Sequence, residues 1–223
     1  MSETLNVDFS QLVRVDTNQM EWQASPSATV WRKRLDLAGE SEASRVTSVV
    51  RYDAGSDFHS HPHPDGEEIY VLDGVFEDEH GSYPAGTYLL NPGGHEHAPR
   101  SSEGCVLFVK LRQYPGERQQ LTVDTSKGEW VDARGPGIKV QFLYKEEGHA
   151  EKVWLARFAP GAEAHKHDHP GGEEIYVIEG AIEDENGVHE AGTWIRFPDG
   201  SSHTPRSKDG ALIYVKAGHL PTA

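Results

Sequence analysis

The sequence predicts an all-β protein made of two tandem barrels or sandwiches, and three observations carry that prediction. Helix signals are nearly absent from the 223 residues, where 23 glycines and 13 prolines break the chain every few positions. Short runs rich in strand formers recur between those breaks. The whole pattern then occurs twice.

The repeat opens at Val15-Asp16-Thr17, with Glu21-Trp22 behind it, and returns as Val123-Asp124-Thr125 with Glu129-Trp130, an offset of 108. From Arg51/Arg157 to Lys110/Lys216 the offset is 106 without a gap, and 25 of 47 positions are identical between Gly55–Ser101 and Gly161–Ser207. A tandem duplication of a unit of roughly 100 residues follows. It places one barrel in residues 1–114, the first ten or so unassigned, and a second in 115–223, with Tyr114-Pro115-Gly116 as linker candidate. Strands are expected over Thr47–Tyr52, Ile69–Leu72 and Val106–Val109, and again over Val153–Phe158, Ile175–Ile178 and Leu212–Val215. Ile69-Tyr70-Val71-Leu72 is apolar at every position and should be covered on both faces. Asn186-Gly187 marks a tight hairpin, matched by His80-Gly81 in the first copy.

Composition narrows the function. The formal charge of −15 argues against nucleic acid and anionic membranes as partners, because both require basic surface. No apolar run approaches a membrane span, and Met1-Ser2-Glu3-Thr4 is unlike a secretion signal, so a cytoplasmic protein is expected. A single cysteine, Cys105, excludes an internal disulfide and a cysteine metal cluster, and reads as a small buried residue. Histidine is the anomaly: 13 are present, and eleven fall in the equal windows His59–His97 and His165–His203.

Within those windows the first copy carries G-x5-H-x-H-x3-E-x6-G from Gly55, through His61, His63 and Glu67 to Gly74, then G-x5-P-x-G-x2-H from Gly86 to His97. The second repeats it at Gly161, His167, His169, Glu173 and Gly180, then Gly192 to His203. Side chains at i and i+2 share one strand face, so each histidine pair can converge on a point that the later histidine closes from a separate hairpin. Three imidazoles and a carboxylate suit Zn(II), Fe(II), Mn(II) or Ni(II). An octahedral ion keeps open positions there, whereas a tetrahedral zinc is closed.

These paired motifs resemble those of the cupin superfamily, and the duplication resembles a bicupin. His-Pro-x-Gly-Glu-Glu-Ile-Tyr-Val-Leu-Asp-Gly, Glu-Asp-Glu-x-Gly, Ala-Gly-Thr and His-x-Pro-Arg-Ser are similar to the cupin domain of ChrR-type anti-sigma factors, over about Val15 to Lys216. The resemblance implies a jelly-roll β-barrel in each half. It also implies a zinc-type site at His61, His63, Glu67 and His97, and a second at His167, His169, Glu173 and His203. Two departures stand out. Ser101 and Ser207 occupy a position where the general motif often has Asn. The sigma-gripping helical module of those regulators, with its own His-and-Cys zinc site, has no counterpart before Val15, so direct sigma-factor binding is not expected.

The function expected is a metal-binding bicupin that responds to a small molecule or to redox state. Alternatives are a metal-dependent dioxygenase acting on a small carbonyl or phenolic compound, and a non-catalytic barrel with a structural metal. A monomer or a homodimer fits equally. Glu77-Asp78-Glu79 and Glu183-Asp184-Glu185 read as solvated hairpin ends, Arg100 and Arg206 as rim ion pairs or as partners for a substrate carboxylate or an acid behind the ligands, Tyr70 and Tyr176 as core, and His59 and His165 as reserve ligands or entrance residues. Arg51 and Arg157 would need a carboxylate partner if they point inward. The walls diverge at Phe58/Ala164, Ser60/Lys166, Leu90/Arg196 and His95/Ser201, so the second site is expected to favour an anion if its two added cations face it.

Overall fold

The computed structural model describes residues 4–39, 44–114, 116–133 and 135–221. Met1 to Glu3 and Pro115 of the linker candidate lie outside the described residues. All strand pairs are antiparallel, the only helical turn among the described residues is the 3₁₀ segment Thr17–Gln19, and no helix is long and apolar enough to cross a membrane.

Two compact units emerge, and each is one jelly-roll barrel. In the first, the sheet runs Leu121–Asp124, Thr87–Asn91, Glu67–Glu77, Cys105–Leu111, Arg45–Tyr52, Val30–Ala38 and Gln23–Ala24. In the second, the same path runs Val13–Asp16, Thr193–Phe197, Glu173–Asp184, Ala211–Ala217, Lys152–Phe158, Ile138–Tyr144 and Val131–Asp132. A short two-stranded ribbon completes each: His61–His63 with His95–His97, and His167–Asp168 with Ser202–His203.

The units in space are therefore cut differently from the halves 1–114 and 115–223. One unit takes Met20–Lys127 with residues up to Val7, and the other takes Asp8–Gln19 with Gly128–Ala223. The reason is pairing. Val123 of the second Val-Asp-Thr lies opposite Tyr88, while Val15 of the first lies opposite Trp194.

Strand alternation builds the interiors. Ile69, Val71, Leu89, Leu107 and Val109 line one core, and Ile175, Val177, Ile195, Ile213 and Val215 line the other at matching positions. Tyr70, Tyr88 and Phe108 point the opposite way and are also buried, as expected for a strand covered on both faces. Gly74 and Gly180 lie two residues beyond the point where the long central strand shifts register against its neighbour, and pair there with Cys105 and Ala211. Both have positive φ, and a Cβ on either would stand 2.1 Å from a carbonyl oxygen, of Gly104 or Gly210. That contact gives the motif glycines a structural role.

Candidate metal centres

Each ribbon carries its histidines to the mouth of its barrel. His61 lies opposite His97, and the i, i+2 spacing sets His63 on the same face. The Nε2 atoms of His63 and His97 are 3.0 Å apart. Glu67 opens the long central strand, and its Oε2 lies 3.6 Å from His63 Nε2 and 3.5 Å from His97 Nε2. Donor atoms of His61, His63 and His97 fall within 4.8 Å of one another, a set that does not include Glu67. In the second barrel all four donors, His167, His169, Glu173 and His203, meet that limit. Glu173 Oε1 is 3.5 Å from His169 Nε2 and 3.4 Å from His203 Nε2. Donors bound at ~2.1 Å to a common ion stand roughly 3.0–3.4 Å apart. These spacings are close to that.

Hydrogen bonds on the far side of the rings turn Nε2 inward. His61 Nδ1 donates to the carbonyl of His59 at 3.0 Å, and His167 Nδ1 to that of His165 at 2.9 Å. A carbonyl only accepts, so Nδ1 carries the proton and Nε2 keeps its lone pair. His169 Nδ1 meets Ser201 Oγ at 3.1 Å, whose hydroxyl donates to the Pro198 carbonyl. His97 Nδ1 faces Asp78 Oδ2 at 3.4 Å, and His203 Nδ1 faces Asp184 Oδ2 at 3.0 Å. What remains is a cluster of inward lone pairs. The Nε2 atoms of His169 and His203 are buried without a hydrogen-bond partner, a costly arrangement that a cation would relieve. The donor set and these two orphaned atoms fit a divalent metal.

Electrostatics agrees with that state at His169 and His63. Burial pushes His169 down to about 3, with His203 adding to the effect, and burial likewise lowers His63 against the opposing pull of Glu67. Both rings are neutral and ready to ligate. At His97 burial is opposed and outweighed by the Asp78 hydrogen bond and the Glu67 charge, which raise it. Burial lifts Glu173 to about 7.

Several residues carry more than their sequence pattern announced. The runs expected as solvated hairpin ends each bury their middle acid, because alternation turns Asp78 and Asp184 inward while their neighbours stay out. Asp78 accepts from His80 N, Gly81 N and the Tyr83 hydroxyl, and Asp184 pairs with His189 at 3.1 Å. The flanking Glu79 and Glu185 accept from the backbone of Ala98 and Thr204, holding the hairpin that bears the last histidine. Asn91 donates to Glu67 Oε2 at 3.1 Å, whereas Phe197 occupies that place in the second barrel. The identity of Asp78/Asp184 across the repeat was the available signal.

Other candidates settle on the surface or outside the barrel interior. His59 and His165 are exposed and act through their carbonyls, and Arg206 pairs with Glu183 at 2.7 Å on the rim. Arg51 and Arg157 do not point inward; they lie over the rings of Trp22 and Trp130. Ser101 and Ser207 donate to the carbonyls of Val75 and Ala181. Of the two cations added in the second copy, Lys166 is exposed, and Arg196 is buried over Phe9, donating to the Asp8 carbonyl. The expectation of an anion-favouring second site is therefore corrected, because strand alternation points Ile195 and Phe197 inward and Arg196 away.

Two jelly-roll barrels in one chain, each with a convergent histidine and glutamate cluster, define a bicupin. The chain belongs to the ChrR Cupin-like domain family, whose model matches residues 10–115 and again 118–221. No curated protein sequence matches it. Solved structures share the fold. A candidate dioxygenase from Nostoc punctiforme has 17% identity and a TM-score of 0.76, covering 96% of this chain and 85% of that one. Protein YlbA from E. coli has 19% identity and a TM-score of 0.72, covering 97% and 95%. Oxalate decarboxylase of Bacillus subtilis has 14% identity and a TM-score of 0.65, covering 94% and 78%.

Proposed function

We propose that this chain is a metal-dependent, small-molecule-responsive bicupin, related to the sensory half of ChrR-type regulators and holding one divalent ion per barrel. His61, His63, Glu67 and His97 would hold one ion, and His167, His169, Glu173 and His203 the other. Zinc leads the reading, and Fe(II), Mn(II) and Ni(II) fit the same donors. The observation that carries it is the inward turn of the imidazole Nε2 atoms around a buried carboxylate, in both barrels. Bound metal supplies a Lewis-acidic point at which a small oxygen ligand can coordinate. The chain's own part is to fix the tautomers through carbonyls and Asp78 or Asp184, and to hold Glu67 through Asn91.

A second reading, a dioxygenase acting on a small carbonyl or phenolic compound, is favoured by the cavity that adjoins the first cluster. Elemental analysis of untagged protein tests the shared premise. About two equivalents of a transition metal per chain are expected after dialysis against the metal, and below roughly 0.3 equivalents both centres fall. Oxygen consumption by the Fe(II) form on a carbonyl and phenol panel then separates sensor from dioxygenase.

A further inference from the structure

The two clusters share donors but not surroundings. A cavity of about 360 Å³ in the first barrel reaches His61, His63, Glu67 and His97, and its wall includes Ser48, Arg32 and Arg112. The strand registers place Trp154 where Ser48 stands, and its ring packs against the apolar core of the second barrel. Phe197 replaces Asn91, its ring 4.5 Å from that of His203 and 5.4 Å from that of His169. Val140 replaces Arg32, and Gly218 replaces Arg112. Groups that leave room or carry charge in the first copy are bulky or neutral in the second.

Arg112 adds a further sign. It holds φ +58, a conformation in which its counterpart is Gly218 at φ +79. The first copy thus keeps an arginine at a position that favours glycine, and that arginine pairs with Asp65, also on the cavity wall. A divalent ion held by the cluster would give a carboxylate a point of attachment, and the guanidinium groups of Arg32 and Arg112 stand on the same wall. Cationic groups set among apolar walls suit a small anion with an apolar body.

We infer that the first barrel alone is the ligand-binding barrel, taking a small organic monocarboxylate with an apolar body, while the core of the second closes around its metal as a structural centre. The ion, with Arg32 and Arg112, attracts the carboxylate; Val50, Ile69, Leu107 and Val109 receive the body. The inference rests on the metal reading above. The test uses the full chain loaded with Co(II), benzoate as probe and benzamide as its neutral counterpart. His167→Ala/His203→Ala leaves cobalt in the first barrel only, and His61→Ala/His97→Ala in the second only. Benzoate should shift the visible cobalt bands in the first variant and not the second, and benzamide should shift neither. Ser48→Trp should abolish the shift with both cobalt ions retained, and Arg112→Gly, which alters only the wall, should weaken benzoate about tenfold. Equal shifts from both barrels, equal binding of benzamide, no benzoate shift at all, or undiminished binding in Arg112→Gly would overturn the inference while leaving the metal reading standing. Failure of wild type to bind cobalt would instead remove the metal reading.

Discussion

Asp184 shows how one buried acid sets a whole imidazole. Its two oxygens reach His203 Nδ1 at 3.0 Å and His189 Nε2 at 3.1 Å, and despite burial, which alone would raise it, those hydrogen bonds hold its carboxyl well below the usual range. Asp184→Asn keeps the shape and removes the charge. It should weaken metal binding in the second barrel by roughly 10–100-fold, with the first barrel unaffected, as read by chelator competition on single-barrel variants. Cys105 gives a contrasting case without metal. Burial pushes its thiol up to about 11, so at pH 8 it stays protonated and inert. Because the folded value lies above the ordinary one, the associated stability is intact below about pH 9 and fades as pH rises towards 11. Native protein at pH 8 should react with a disulfide reagent far more slowly than protein in guanidinium, where one thiol per chain should appear. Rapid reaction of the native form would show that the thiol is reached without unfolding.

At the level of strands, the Val-Asp-Thr segments close barrels across the repeat: Val13–Asp16 pairs with Thr193–Phe197, and Leu121–Asp124 with Thr87–Asn91. A crossed phenotype follows. Val15→Pro, in the first repeat, should destabilise the barrel that holds His167 and His203, and Val123→Pro the one that holds His61 and His97, each by about 2 kcal/mol. Metal loss on mild heating of single-barrel variants reports which centre suffers, and loss from the barrel of the same repeat would contradict the pairing. The sequence reveals the strands themselves, because runs such as Ile69–Leu72 and Val106–Val109 have one reading between their turns. It reveals the candidate ligands because parity is local: His61 and His63 must share a face wherever the strand goes. Pairing partners are not local. Two copies of the same edge strand fit the same groove, so the cut at 114/115 has no competitor until the ladders are seen. Asp78 is hidden for a related reason, since between Glu77 and Glu79 its inward turn depends on a strand phase that composition does not set.

For the molecule as a whole, a metal bound at each cluster would act as a clamp. Each candidate centre joins residues more than thirty positions apart, His61 to His97 and His167 to His203, and brings a carboxylate from the central strand of the barrel. An ion that binds the folded barrel in preference to the unfolded chain stabilises it by ~2.7 kcal/mol at a free concentration 100 times its dissociation constant. For a unit of this size such an increment moves the melting temperature on the order of 10 °C. The net charge of −15 works in the same direction, since each cation also relieves repulsion within an acidic chain. Chelator should therefore lower the melting temperature of wild type. His97→Ala or His203→Ala alone should remove only the response of the barrel concerned, splitting one transition into a chelator-sensitive and a chelator-insensitive part. Combining His97→Ala with His203→Ala should leave a protein indifferent to chelator, with the same β-sheet circular dichroism at low temperature. A chelator response that persists undiminished in the double variant would place the metal somewhere other than these two clusters.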